Sequence, residues 1–145
     1  MALLGNDGQS WQDPVIGGFM SNITTTYGSW ANFNTTYYKW TVPDAGTYEL
    51  HATLRTRVWD AQGFTKYVPY RNSDSSRNGD DVRMGVEFQN SGVYNNTQQE
   101  FVWIVSTTAS GDTWYLQGQA SSNSSGLSLQ SDANGYNQCW WRRLN

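Results

Sequence analysis

Reactive side chains are scarce in this chain, which holds one histidine and, at position 139, one cysteine. A histidine acting as general base needs a nucleophile within hydrogen-bond reach and a carboxylate to orient its ring. No serine stands in a nucleophile-elbow motif, so His51 reads as a surface or interface histidine. Cys139, between Gln138 and Trp140, reads as a small buried hydrophobe. A single cysteine forms neither an intrachain disulfide nor a cysteine-based zinc site. With no carboxylate pair at a recognisable hydrolase motif, no catalytic residue and no cofactor are expected.

The run Asp74-Ser75-Ser76-Arg77-Asn78-Gly79 resembles a calcium loop, with oxygen donors at alternate positions and glycine at the sixth. The twelfth position is Gly85, where a bidentate Glu is required, and Arg77 places positive charge among the ligands. The motif therefore fails, leaving Asp80, Asp81 and a carbonyl as an incidental site at most. Triplets such as Asn22-Ile23-Thr24 and Asn123-Ser124-Ser125 fit the glycosylation pattern but follow from an Asn/Ser/Thr-rich composition. Four aromatic residues in an expected loop region and near it, Trp59, Tyr67, Tyr70 and Tyr94, could stack on sugar rings. The simpler reading has them cap the fold or line a subunit contact. Likewise Trp140-Trp141-Arg142-Arg143 could stack indole on guanidinium, or be an alternating end strand whose arginines reach solvent or an adjacent chain.

The elements that would position these residues are strands. Eight Trp, nine Tyr and five Phe lie in short alternating stretches separated by Gly, Asn, Ser and Asp, and no stretch reads as a helix. The expected fold class is an all-β sandwich with an aromatic core. Thr47 to Val58 alternates most strictly, with Tyr48, Leu50, Ala52, Leu54 and Val58 on one face. Glu49, His51, Thr53, Arg55 and Arg57 take the other face, which is wet or meets another subunit. Further strands are expected at Tyr37 to Val42, Val82 to Phe88, Glu100 to Thr108, Trp114 to Ala120 and Gln138 to Leu144, with Leu127 and Leu129 leading to the last. Pro43-Asp44-Ala45-Gly46 predicts a hairpin-like connection. Trp59 to Asp81, interrupted by Gly63, Pro69 and a polar run, predicts a long exposed loop. Phe101 to Val105 is apolar throughout, which predicts a strand covered on both faces.

With 145 residues, one domain is expected. Residues 1–28, with Gly17-Gly18 as a break, read as a partly extended docking arm, and 29–145 as the head domain. A net charge of −3 with only two lysines, Lys39 and Lys66, offers little for counterion release, so no nucleic acid partner is expected. The opening residues carry no basic segment or apolar run suited to a signal peptide or membrane span, so no membrane insertion and synthesis in a cytosol are expected.

Three segments, in order, resemble the C1q/tumour-necrosis-factor jelly-roll family. Lys39 to Tyr48 is similar to its strand, "VP..G.Y" turn and strand; Gly111-Asp112-Thr113-Trp114-Tyr115-Leu116-Gln117 is similar to its "GD.VWLQ" strand start, followed by Asn123 to Leu127. Cys139 to Leu144 occupies the place of the closing strand. The final strand is more polar than the family's, the Trp59 to Asp81 segment is longer, and no Gly-X-Y stalk precedes the domain. The resemblance implies a ten-stranded antiparallel two-sheet jelly roll that assembles as a tight homotrimer with aromatic residues near the threefold axis. His51, Phe101, Trp103, Trp140 and Trp141 are the candidates for that interface. A closed trimer would supply the second cover for Phe101 to Val105.

These readings give a non-enzymatic structural or adhesive module as the expected function. The expectation is a bacteriophage virion protein, such as a capsid decoration, head-fibre or tail-fibre component made in the host cytoplasm. Its arm would dock on a capsid or tail protein, and its head would bind a host-surface glycan. The alternative is a free carbohydrate-binding, lectin-like sandwich.

Overall fold

The computed structural model describes residues 20–23, 29–33, 35, 38–58, 64–77, 82–86, 95–120, 127–130 and 137–144. Ten strands and no helix occur among them. In chain order they are β1 (Met20–Ile23), β2 (Ala31–Asn32), β3 (Lys39–Thr41), β4 (Gly46–Val58), β5 (Phe64–Arg71), β6 (Arg83–Val86), β7 (Asn95–Thr107), β8 (Thr113–Ala120), β9 (Leu127–Gln130) and β10 (Gln138–Arg143). They form two antiparallel sheets, as the alternating aromatic segments predict. In the first sheet β4 is flanked along its whole length by β7 on one edge. Its other edge is shared end to end by β10 and β9, with β1 beyond β9. In the second sheet β8 has β5 and then β6 on one edge, with β3 and β2 sharing the other.

The alternation read for β4 fixes which face lies inward: Tyr48, Leu50, Ala52 and Leu54 have no exposed surface. Across the interior, rings of the two sheets meet. Trp40 of β3 packs edge-on against Trp103 of β7, with centroids 5.8 Å apart, and Tyr67 of β5 lies 4.9 Å from Phe101 of β7. Phe33 and Tyr38 extend this line of rings beside Tyr67. Trp40 also donates its indole N–H to the His51 carbonyl at 2.8 Å, so a polar ring atom inside the core is satisfied across the two layers.

Two expectations change. Pro43 to Gly46 does not make a hairpin: β3 lies in the second sheet and β4 in the first, so the turn carries the chain from one layer to the other. Inward-facing Trp40 and Tyr48 must both reach the core, and the Tyr48 hydroxyl ties the turn by donating to the Asp44 carbonyl at 2.8 Å. The loop expected from Trp59 to Asp81 contains β5, a strand paired to β8 from Thr65 to Arg71. Pro69 is tolerated there because its partner Leu116 turns its N–H to the Tyr38 carbonyl and its C=O to the Phe33 N–H, on the far side of β8. Pro69 and Leu116 thus face each other as a non-hydrogen-bonded pair, and β6, whose pairing ends at Tyr67, asks nothing of the missing N–H.

This chain by itself covers one face of Phe101 to Val105, the face opposite the one assigned above to a neighbouring subunit. Phe101, Trp103 and Val105 are buried, whereas Val102 is half-buried and Ile104 is 56% exposed. Met20–Ile23, inside the span read as a partly extended arm, pairs with β9 as a strand of the first sheet.

Candidate interaction faces

At one end of the sandwich, polar side chains from β5, β7 and the start of β8 converge on Asp112. Its carboxylate accepts from Arg71 Nε at 2.6 Å, Thr107 Oγ1 at 2.8 Å, Ser73 Oγ at 3.0 Å and the Thr113 N–H at 3.1 Å. Burial alone would raise its pKa, but the hydrogen bonds from Arg71, Thr107 and Ser73 and the Arg71 charge outweigh it and hold the carboxyl below its ordinary value. Asp74 and Ser76 of the rejected calcium loop belong to this cluster. Asp74 accepts from the Ser76 N–H and hydroxyl and from Arg71 Nη1 at 3.2 Å, so its oxygens serve a turn and an ion pair. No group of three His, Cys, Asp or Glu side chains is placed to hold a metal ion among the described residues. Asp80 and Asp81 lie outside those residues. The end cluster ties the end of β5, the end of β7 and the residue before β8 together.

On the outer face of the first sheet, β7, β4 and β10 bring residues together in rows. Ile104, Glu49 and Arg142 form one row, and Val102, His51 and Trp140 the next. The His51 ring stacks on the Trp140 indole, 3.6 Å between centroids and 12° from parallel. His51 Nε2 donates to Glu49 Oε2 at 3.0 Å, and Nδ1 lies 3.6 Å from Glu100 Oε1. The hydrogen bond from His51 lowers the Glu49 pKa; burial opposes it, and the hydrogen bond and charge of Arg142 add to it. Only 9% of His51 is exposed, although it points away from the core, because indole and carboxylates close over it. Ile104, opposite Glu49, is 56% exposed, and Leu144, just past β10, is 45% exposed. The Leu144 N–H donates to the Thr47 carbonyl at 2.8 Å, which prolongs the β10–β4 pairing away from the His51–Trp140 stack.

The outer face of the second sheet is different in chemistry. Register places Arg77, Tyr70, Tyr115 and Lys39 in one row across it. Arg77 lies over Tyr70 and Trp30, 5.8 and 5.9 Å from the ring centroids. Its Nε donates to Gln117 Oε1 at 2.6 Å, and Gln117 Nε2 donates to Asn32 Oδ1 at 2.7 Å.

The residues singled out from the sequence separate accordingly. His51 and Trp140 meet on the outer face of the first sheet. Phe101, Trp103 and Trp141 are interior, 7%, 0% and 3% exposed, and have almost no surface to give a neighbouring chain. They face inward because they share the odd register of β7 and β10 that opposes the core side of β4. Tyr67 is fully buried against Phe101 and Phe33, out of reach of a sugar, whereas Tyr70 lies on the outer face. Trp59 and Tyr94 lie outside the described residues. Cys139 is buried, and burial pushes its thiol pKa far up. The sequence reading missed Trp30, Lys39, Arg77 and Tyr115 as a group. Nothing local marks them, since four separate segments supply the row and its flank.

No protein-family model matches this chain, and no curated protein matches it.

Proposed function

We propose that this protein is a non-enzymatic structural or adhesive module that works as a homotrimer, with the outer face of the first sheet as the subunit contact. The observation that carries this reading is Ile104, an exposed aliphatic side chain in the row next to the His51–Trp140 stack, with the exposed Leu144 further along the same strand pair. Such a surface gains most when a second protein surface removes it from water. A trimer of this kind buries well above roughly 2,000 Å² in total. The jelly-roll topology rests on the resemblance of the sequence motifs, and a place on a bacteriophage virion, docked through residues 1–28, rests on that resemblance together with the opening residues' lack of a secretion-signal pattern.

Sedimentation velocity at micromolar concentration tests the reading. The expected species has three times the 16.4 kDa chain mass, and Ile104→Asp is expected to convert it to monomer with an unchanged circular dichroism spectrum. A wild-type chain that stays monomeric and folded overturns the proposal. A second reading, a carbohydrate-binding sandwich, is favoured by the half-buried Tyr70 and Tyr115 side by side on the other outer face. The two readings use opposite faces and are compatible in one molecule.

A further inference from the structure

We propose that the outer face of the second sheet binds an acidic oligosaccharide, holding sugar carboxylates with Arg77 and Lys39 and seating pyranose rings across Tyr115. This names the ligand class for the carbohydrate-binding reading and rests on it, but does not depend on trimer formation.

Charge is the first observation. The chain is acidic overall, at −3, yet Lys39, Lys66 and Arg77 are the charged residues at the described outward strand positions of this sheet, and none is a carboxylate. The outer face of the first sheet carries Glu49 and Glu100. At the end of the sandwich Asp74 and Asp112 are engaged by Arg71. Arg77 and Lys39 therefore have no ion-pair partner among the described residues, on a face whose field favours an anion.

The second observation is how Arg77 is held. Its Nε is anchored to Gln117, which is itself 5% exposed and fixed by Asn32, and its Cζ lies over both the Trp30 and the Tyr70 rings, 5.9 and 5.8 Å from their centroids. No hydrogen bond or ion pair engages its two terminal nitrogens among the described residues, and they form a planar fork matched to two oxygens of a carboxylate. A guanidinium already fixed by a hydrogen bond and two rings loses little freedom when it binds.

The third is the row itself. From Arg77 through Tyr70 and Tyr115 to Lys39 there are three strand spacings, roughly 14 Å in all. That is an oligosaccharide's length, with a cation at each end and aromatic surface between. The half-buried Tyr115 supplies aromatic surface in this row for the C–H side of a pyranose, the contact that a phosphate or a simple anion cannot use. Nucleic acid is disfavoured because three cations release too few counterions to hold a polyanion at physiological salt.

The test is isothermal titration of the full-length protein with hexagalacturonate, with its methyl ester as the uncharged counterpart and with inorganic polyphosphate and oligo-dT as anion controls. Hexagalacturonate is expected to bind, and the methyl ester at least tenfold more weakly. Arg77→Gln and Tyr115→Ala are each expected to weaken binding at least tenfold and Lys39→Gln several-fold. Circular dichroism of each variant confirms that the fold persists; if Tyr115→Ala unfolds, Tyr115→Leu takes its place, keeping bulk while removing the ring. Equal binding of the ester, tighter binding of polyphosphate or oligo-dT, indifference to these substitutions, or no heat at millimolar hexagalacturonate would each overturn the proposal. Loss of binding in a chain that still sediments as a trimer removes only this inference. Binding by a chain that sediments as a monomer removes only the trimer.

Discussion

Asp112→Ala is expected to be among the most damaging polar substitutions in the chain. The Asp112 side chain is 1% exposed and Arg71, its partner, 23%. Removing one member of a buried ion pair costs about 3–5 kcal/mol, because the remaining charge is left desolvated. Arg71 keeps some solvent and its second partner Asp74, which moderates the loss, while Thr107 and Ser73 lose an acceptor. The net expectation is about 3 kcal/mol, which lowers the melting temperature of a domain of this size by roughly 10 °C. Thermal and urea unfolding at one fixed protein concentration measure it, so that any self-association affects wild type and variant alike. The double variant Asp112→Ala with Arg71→Met is expected to be less destabilised than the sum of the single ones by at least about 1 kcal/mol. The pH dependence has a definite sign. The Asp112 carboxyl is held below its ordinary value in the folded protein, so its contribution is fully present above the unfolded pKa, about 3.9, and lost as pH falls through the lower folded value. The gap between wild type and Asp112→Ala therefore narrows only in strongly acidic solution. A loss under about 1 kcal/mol at neutral pH, or additive behaviour with Arg71→Met, would refute the claim that this cluster fastens the end of the sandwich.

Trp103→Ala, which opens a void where two other rings meet Trp103, is expected to cost about 3–5 kcal/mol in urea unfolding. A cost near that of an exposed substitution would remove Trp103 from the core. Gly111 has φ +69° with nothing within 4 Å of an added Cβ, so Gly111→Ala is expected to cost about 1 kcal/mol from backbone strain alone. A stabilised variant would show that the turn relaxes. Cys139 is expected to resist iodoacetamide in the folded protein and to be alkylated fully in denaturant, as read by intact mass. Rapid labelling without denaturant would contradict its burial.

Much of the strand content was legible because the side-chain period of two is a local property. Tyr48, Leu50, Ala52 and Leu54 announce the inner face of β4 by spacing alone, and in the structure all four are sealed. The same rule reads Phe101, Trp103 and Val105 correctly as inward once Val102 and Ile104 are allowed to face outward. An apolar run cannot say by itself whether its second face is covered, and Ile104 shows that this chain leaves it open. The Pro43 to Gly46 turn misleads for a related reason. Proline and glycine mark a reversal but not whether it returns to the same sheet or crosses to the other.

What the sequence determined by itself was the all-β class, the position of most strands and the inward side of β4, since periodicity and turn residues act between near neighbours in the chain. Only the tertiary structure decided the partition of strands between the two sheets, the closing of His51 beneath Trp140, and the row joining Arg77, Tyr70, Tyr115 and Lys39. Those depend on which distant strands pair and in what register. Register is set by burial summed over both sheets, so no single segment contains it.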